Sequence, residues 1–144
     1  MIQIRRATIE DASDILEWRN DPDTVAMSKT PNVVGIESHM SWFEKAVIDP
    51  NRIIFVATEH DRRLGMVRFD KSNDGWLVSI NLAPAERRKG YSLPFLMRCI
   101  AEVRPARLTA EIKKTNVPSI RIFERCGFRL IGEEGDFQHW VLPL

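Results

Sequence analysis

Three β-rich segments follow one another in the middle of the chain, and they constrain its fold more than any other feature. They cover residues 52–58, 64–69 and 76–82, with short polar connections at residues 60–62 and 71–75. Strands joined by such short connections pair with their sequence neighbours as an antiparallel meander. We therefore expect an antiparallel sheet at the centre of the fold.

Helical periodicity surrounds this meander on both sides. Apolar residues recur at helical spacing after Thr8, Ser38, Gly90 and Asn116, so a helix is expected to begin near each of them. Residues 20–35 are predicted to be irregular, because two prolines and a closing glycine interrupt them. Further strands are expected at residues 2–6, 107–112, 128–134 and 139–143.

This order of elements predicts one α/β (α+β) domain over residues 1–144. Its central sheet would be mixed, with about six to seven strands and about four helices. A length of 144 residues suits a single domain. Hydrophobic residues make up 44% of the chain and charged residues 28%, which excludes disordered, collagen-like and coiled-coil classes.

The charge and cysteine content limit the kinds of partner and cofactor that can be expected. Lys and Arg total 21 against 20 Asp and Glu, so no nucleic-acid partner is expected. The longest apolar run, residues 53–57, is far shorter than the ~20 residues that cross a bilayer. With no signal-like start, a cytoplasmic protein without a membrane partner is expected. Cys99 and Cys126 are too far apart for a redox or zinc pair, and His60 and His139 lack ligand spacing, so no metal is expected.

Residues 81–92, with the sequence NLAPAERRKGYS, carry the clearest binding signal. A predicted strand ends here, and a short basic loop leads into a helix, whose unpaired N–H groups bind phosphates well. Arg87, Arg88 and Lys89 add mobile positive charge, and Gly90 lets the backbone approach an anion. The segment predicts an anion site, most simply for a pyrophosphate. A solvated basic loop that caps a helix is the alternative.

Two segments resemble motifs of the GNAT N-acetyltransferase superfamily. Residues 87–92 (RRKGYS) are similar to its R/Q-x-x-G-x-G/A loop, and residues 116–128 (NVPSIRIFERCGF) to its N-x-x-[SA]-x-x-x-[YF]-x-x-x-G-F helix. The element order matches from residue 2 to residue 142. The resemblance implies an acetyl-CoA-dependent N-acetyltransferase whose fourth and fifth strands splay apart, with acetyl-CoA wedged between them.

The resemblance also implies which residues contact acetyl-CoA. The backbones of Leu82 and Ala83 would pair with pantetheine as an added half-strand does. Asn116 would hydrogen-bond the cofactor arm, Ser119 would lie near the thioester sulfur, and Phe123 would line the same site. The pyrophosphate would be bound, largely through backbone N–H groups, by Arg87, Arg88, Lys89, Gly90, Tyr91 and Ser92.

Two departures from the motifs bear on catalysis. Ser92 stands at the second glycine of the loop, and Phe123 stands where many members carry the tyrosine that protonates the leaving thiolate. A phenyl ring has no proton to donate, so Ser119, water or no acid at all must serve. We expect Glu111, on the strand facing the splay, to act as general base, directly or through water. A surface carboxylate paired with Lys113 is the alternative.

The N-terminal half bears on the acceptor. Its WRN and H-x-x-W-F features resemble the GNAT branch that acetylates nucleotide-linked 4-amino sugars in pseudaminic-acid and related pathways. His39 and Trp42 would share a helix face and contact a base or sugar ring, and Arg19 would hold a phosphate. Strand alternation puts Ser79 and Asn81 on a polar face open to substrate. The candidate acceptor residues are Arg19, Met27, His39, Trp42, Ser79 and Asn81.

Several alternatives stay open. His39 and Trp42 are equally consistent with packing of the second helix. The same features also resemble relatives that acetylate ribosomal proteins, so a protein or peptide N-acetyltransferase is an alternative. The missing tyrosine at Phe123 leaves a non-catalytic acyl-CoA-binding module as another. The expected partner is a small-molecule amine, and the chain would be a monomer or a homodimer.

Overall fold

A central sheet with helices on both faces organises the chain. The computed structural model describes residues 2–73 and 75–143. The strands are β1 (Gln3–Arg6), β2 (Arg52–Glu59), β3 (Arg62–Ser72), β4 (Gly75–Leu82), β5 (Leu108–Lys113), β6 (Arg129–Glu134) and β7 (Phe137–Leu142). The helices are α1 (Ala12–Arg19), α2 (Pro22–Met27), α3 (Ile36–Ala46), α4 (Ser92–Val103) and α5 (Val117–Arg125). The seven strands are ordered β1-β2-β3-β4-β5-β7-β6.

The predicted meander and the mixed sheet are confirmed. β2, β3 and β4 pair antiparallel with their sequence neighbours, and β4 pairs with β5 in parallel. The predicted connection 71–75 is shorter than expected, because β3 continues through Ser72 and β4 begins at Gly75. Asp74, which was part of that prediction, lies outside the described residues.

The structure adds a helix where the sequence predicted irregular chain. α2 lies within residues 20–35, so the described residues form five α-helices rather than four. The Asp21 side chain accepts a hydrogen bond from the Thr24 backbone N–H (3.4 Å), and Pro22 occupies the first turn, where its missing N–H costs little. α3 also begins earlier than predicted, at Ile36 rather than after Ser38.

Each face of the sheet packs against its own helices. One hydrophobic cluster joins the sheet to α4 and α5, and includes Phe69, Phe95, Leu96, Leu108 and Phe123. A second joins the other face to α1 and α3, and includes Ile15, Trp18, Phe43, Val56 and Met66. Each large side chain that is fully buried in this way stabilises the fold by roughly 1.5–3 kcal/mol.

β4 and β5 pair at one end and then separate. Their parallel register covers Trp76 with Leu108 and Leu77 with Thr109. β4 runs on to Leu82, while β5 keeps its antiparallel pairing with β7 along its whole length. The two strands therefore enclose a V-shaped opening, as the sequence resemblance implied.

Candidate active site

The edge of β4 presents free backbone groups to this opening. Trp76 N–H donates to Arg107 O on the β5 side (2.9 Å), and Ala83 N–H donates to Leu64 O on the β3 side (2.8 Å). Successive N–H groups of a strand point to opposite sides. The N–H groups of the even-numbered residues therefore point toward β5, and those of Ile80 and Leu82 lie beyond the last β4–β5 pair, so they face the opening.

The backbone groups of Leu82 and Ala83 differ in whether they are free to bind a ligand. Leu82 directs its N–H into the opening, so it suits the backbone pairing predicted from the sequence. Ala83 does not have the free groups that such pairing needs, because its N–H donates to Leu64 and its carbonyl accepts from Glu86 N–H (2.9 Å). The prediction for Ala83 is therefore corrected: this residue joins β3 to the following loop.

The loop before α4 is shaped to surround an anion. Arg88 (φ 64°) and Gly90 (φ 83°) both lie in the left-handed region. Successive right- and left-handed residues turn backbone N–H groups inward into an anion-binding concavity. α4 begins at Ser92, immediately after Tyr91. The unpaired N–H groups and partial positive charge of that helix terminus add to the same site. The residues present therefore fit a pyrophosphate.

Of the three cations in this loop, only Arg88 remains available. The Lys89 ammonium donates to Glu86 Oε1 (2.9 Å), and Arg62 Nε donates to Glu86 Oε2 (2.5 Å). Glu86 is only 3% exposed, and the hydrogen bond from Lys89, together with that from Arg62, lowers its pKa despite burial. Arg88 is exposed and has no protein partner within residues 2–73 and 75–143. The expectation of three mobile cations is therefore wrong.

Arg87 is directed at α2 rather than at the loop. Its Nη1 lies 2.9 Å from Asp21 Oδ2, and its Nη2 donates to Thr24 Oγ1 (2.9 Å) and to Leu82 O (3.3 Å). Desolvation alone would raise the pKa of Asp21, but the hydrogen bond and positive charge of Arg87, with the backbone N–H groups of Thr24 and Asp23, together lower it. Both terminal nitrogens of Arg87 are therefore already engaged by protein groups, contrary to its predicted role in binding pyrophosphate.

The start of α5 is built as predicted, but the Phe123 ring is not exposed. Asn116 Oδ1 accepts the Ser119 backbone N–H (3.3 Å), which leaves the Asn116 amide group able to donate. Ser119 is half-exposed in the first turn. Phe123 is 2% exposed and packs edge-to-face on Phe128, with ring centroids 4.9 Å apart. Its ring belongs to the core beneath the site.

Glu111 pairs with a different lysine from Lys113, the partner that the sequence suggested as an alternative. Its carboxylate forms an ion pair with Lys29, which follows α2. Lys113 instead donates to Ala26 O (2.8 Å). The proximity of Lys29 to Glu111 was not visible in the sequence, because it depends on how α2 lies across the sheet.

The polar face of β4 lies on the same side of the sheet as α1 to α3. Ser79 is exposed and pairs in register with Arg68 of β3. Asn81 Oδ1 accepts the Thr24 hydroxyl (3.3 Å). Met27 of α2 receives a contact from Thr115 Oγ1 to its sulfur (3.6 Å). The predicted polar face is therefore present, although α2 already covers part of it.

His39 is a packing residue, contrary to the acceptor-binding prediction. It is 4% exposed, its Nε2 lies 2.8 Å from Ala12 O, and its ring stacks on Phe43 at 5.6 Å. Nε2 must carry the proton in this contact, because a carbonyl only accepts. Burial lowers the pKa of His39. The ring joins α3 to α1 and is not presented to a substrate.

Trp42 and Arg19 belong to a cluster of arginines. The guanidinium groups of Arg52 and Arg68 both lie near the Trp42 ring, with Cζ atoms 5.6 Å and 5.3 Å from its centroid. Arg19 Nη2 donates to Thr30 O (2.8 Å), while its Nη1 is buried without a hydrogen-bond partner among the described residues. Burial and the nearby Arg68 lower the pKa of Arg19. Sequence reasoning missed Arg68, whose signal was its polar position between two apolar residues of a predicted strand.

Two absences apply to the part of the chain that the structure describes. No helix there is long and apolar enough to cross a membrane. No group of three or more His, Cys, Asp or Glu side chains in residues 2–73 and 75–143 is placed to hold a metal ion.

The fold is similar to several solved structures. Spermidine N-acetyltransferase from Vibrio cholerae, in complex with CoA and spermine, has a TM-score of 0.86 at 16% identity, covering 98% of this chain and 94% of that chain. A domain from Methanocaldococcus jannaschii has a TM-score of 0.83 at 21% identity, covering 100% and 99%. An N-acetyltransferase from Staphylococcus aureus has a TM-score of 0.80 at 24% identity, covering 99% and 98%. At these identities the likeness shows the fold.

The family comparison goes further than the fold. The sequence matches none of the curated proteins significantly. Residues 2–129, however, match the family described as "Acetyltransferase (GNAT) domain". This match covers most of the chain, including the β4 edge and the loop that follows it. The chain therefore belongs to the GNAT acetyltransferase family and is an acetyl-CoA-dependent N-acetyltransferase.

Proposed function

We propose that the acceptor is a small primary amine that also carries negative charge, of the kind found in nucleotide-linked 4-amino sugars. The observation that supports this most directly is the buried Arg19 Nη1, which has no hydrogen-bond partner among the described residues. A buried donor of a charged group without a partner costs about 1–3 kcal/mol or more. An acceptor phosphate or sugar oxygen would satisfy this donor.

The surroundings of Arg19 favour an anion in the same way. Arg68 is close enough to lower the Arg19 pKa by charge repulsion, in addition to burial. An anionic group near both arginines would relieve that repulsion. Arg68 pairs in register with exposed Ser79 on β4. The proposed anion subsite therefore adjoins the strand along which the acetyl donor would lie.

We assign the acetyl donor to the opening between β4 and β5. Its pyrophosphate would be bound by backbone N–H groups of residues 88–92 and by the free Arg88 side chain. Its pantetheine arm would pair with β4 N–H groups, including that of Leu82, and would meet the Asn116 amide. These assignments are supported by the open strand edge, the left-handed loop residues and the absence of a protein partner for Arg88 in the described chain.

The transfer itself would form a bond between the acceptor nitrogen and the acetyl carbon and break the bond to sulfur. Glu111 would take the amine proton, through water, and Ser119 would donate its hydroxyl proton to the leaving thiolate and regain one from solvent. An N–H of β4 near Leu82 would stabilise the oxyanion. Holding both reactants in register would supply ~7–11 kcal/mol of the barrier reduction, far more than a general base adds. Positioning therefore matters most in this site.

A polyamine is the second candidate acceptor. Structural neighbours include the Vibrio cholerae enzyme, described as a spermidine N-acetyltransferase bound to CoA and spermine. A polyamine is a polycation, which needs free carboxylates. Here Asp21 is paired with Arg87, Asp70 with Arg52 and Arg68, and Glu111 with Lys29. The local charge therefore favours an anionic acceptor over a cationic one.

The test is acceptor-dependent thiol release from acetyl-CoA. We expect turnover with a UDP-linked 4-amino sugar to exceed that with spermidine or with a peptide bearing a free N terminus. Arg19→Gln should raise the acceptor KM about tenfold, the loss expected for a charge-assisted hydrogen bond. Arg129→Gln, an exposed arginine on edge strand β6, is the control and should leave the KM unchanged. Turnover of spermidine or peptide without turnover of the sugar nucleotide would overturn the proposal.

A further inference from the structure

α2 reaches from one wall of the opening toward the other. At its start, Asp21 and Thr24 contact Arg87, which follows β4, and Thr24 also donates to Asn81 within β4. These contacts hold the N-terminal end of α2 against the β4 wall.

The other end of α2 is held by the β5 wall. Ala26 O accepts the Lys113 ammonium (2.8 Å), and Thr115 Oγ1 lies 3.6 Å from Met27 Sδ. Lys29, just beyond the helix, pairs with Glu111 of β5. α2 therefore bridges the two strands that separate, on the side of the sheet that carries Ser79 and Asn81.

Polar contacts, rather than hydrophobic packing, fix this bridge. α2 has six residues, and none of them is fully buried. A helix this short is unstable by itself. Among its anchors, Arg87 makes the most bonds: one to Thr24 of α2 and one to Asp21 just before it, at 2.9 Å each, and one to Leu82 O at 3.3 Å. It thereby ties α2 to the end of β4.

We propose that Arg87 is a positioning residue that holds α2 across the opening and so shapes the acceptor side of the site. Its guanidinium would need to give up Asp21 and Thr24 in order to bind a pyrophosphate. Arg88 carries that charge instead, because it is exposed and has no protein partner in the described chain. The two adjacent arginines thus have different roles: Arg87 orders the acceptor side, and Arg88 attracts the phosphates of the acetyl donor. The role given to Arg87 rests on the proposed function only because it takes α2 to be part of the acceptor side.

Hydrogen exchange of α2 and calorimetric binding of CoA test this division without knowledge of the acceptor. Arg87→Gln should speed amide exchange in residues 24–28 about tenfold, since a charge-assisted hydrogen bond to that helix is lost. Its Kd for CoA should change less than about threefold. Asp21→Asn should speed exchange similarly, because asparagine preserves the helix cap but not the ion pair. The double variant should add little.

Arg88→Gln is the matched control. It should weaken CoA binding about five- to tenfold and leave α2 exchange unchanged. Retained CoA binding in Arg87→Gln and Asp21→Asn would show that both variants are folded. A tenfold loss of CoA affinity in Arg87→Gln with unchanged α2 exchange would overturn the proposal, as would an Asp21→Asn variant with normal exchange. Because neither readout uses an acceptor, a wrong acceptor class would leave these results unchanged.

Discussion

The two sides of the opening are built from different parts of the chain. The proposed donor side consists of the β4 edge and residues 88–92, and its binding groups are mostly backbone N–H groups. The proposed acceptor side consists of Arg19, Arg68, Ser79, Glu111 and α2, which are side chains and a short helix from distant parts of the sequence. A backbone site depends on local conformation, whereas a side-chain site depends on how several elements pack. The donor side can therefore follow a family motif while the acceptor side varies.

This difference also concerns charge. On the donor side, Glu86 bonds to both Lys89 and Arg62, and Arg88 is the loop cation that has no protein partner in the described residues. On the acceptor side, Arg19 retains a buried nitrogen with no partner in the described residues. A flexible exposed cation attracts any phosphate, but a fixed buried donor selects for shape and position. We infer that acceptor specificity is determined mainly by the second kind of group.

The largest expected effect tests the packing beneath the donor side. Phe123→Ala should lower the free energy of unfolding by about 3–5 kcal/mol, because the ring is 2% exposed and packs on Phe128. Denaturant unfolding measures this loss. Phe123→Tyr is the paired variant, and it should lose less stability than the alanine variant because it keeps the packed ring. An alanine variant as stable as the wild type would show that the α5 core is not what supports this side.

The next prediction concerns Asp11, which anchors the start of α1, the helix that carries Arg19. Asp11 is fully buried between α1 and the sheet, and receives bonds from Arg5 (2.7 and 2.8 Å) and Arg63 Nε (2.6 Å). Burial alone would raise its pKa, but hydrogen bonds from Arg5, Thr8 N–H and Arg63 prevail and lower the pKa from 3.8 to about 2. The stabilisation by Asp11 is fully present above the pKa that this carboxyl has in the unfolded chain. It is lost as the pH falls through the lower pKa that the carboxyl has in the folded protein. The loss should total roughly 2 kcal/mol between about pH 4 and pH 2.

Chemical denaturation across that pH range measures the effect. Asp11→Asn is the control. Because asparagine does not titrate, its free energy of unfolding should fall less than that of the wild type between pH 4 and pH 2. If the wild type and this variant lost stability in parallel below pH 4, the carboxylate would not be the acid-sensitive anchor of α1.

A smaller effect separates the two roles possible for Ser119. As the proton donor to the leaving thiolate, Ser119→Ala should lower kcat about tenfold and leave CoA affinity nearly unchanged. As a helix-start residue only, it should have no kinetic effect, because Asn116 caps the helix through the backbone N–H of residue 119, which alanine keeps. Single-turnover kinetics under saturating acetyl-CoA distinguishes the outcomes.

Local signals explain why so much of the fold, and of the loop and helix-start geometry at the proposed donor side, could be predicted. Asn116 caps α5, and Gly90 and Gly127 take positive φ values of 83° and 101°, as their positions at a loop and a helix end suggested. Each of these features involves residues within a few positions of one another. The meander likewise needed only short connections between adjacent strands.

The remaining features depended on long-range contacts that no local pattern encodes. His39 was expected to face a substrate, but it bonds to Ala12 O, 27 positions away. Arg87 was expected to bind a pyrophosphate, but it pairs with Asp21, 66 positions away. In both cases the side chain was correctly expected to make a specific polar contact, but its partner was determined by the packing of α1, α2 and α3.

The separation of the two sides is tested most directly by steady-state kinetics of Arg88→Gln and Arg19→Gln with acetyl-CoA and a UDP-linked 4-amino sugar. We predict that Arg88→Gln raises the KM for acetyl-CoA about five- to tenfold with the acceptor KM unchanged. Arg19→Gln should raise the acceptor KM by a similar factor and leave that for acetyl-CoA unchanged. If both substitutions raised the KM of acetyl-CoA and neither affected the acceptor, the assignment of separate donor and acceptor sides would be contradicted.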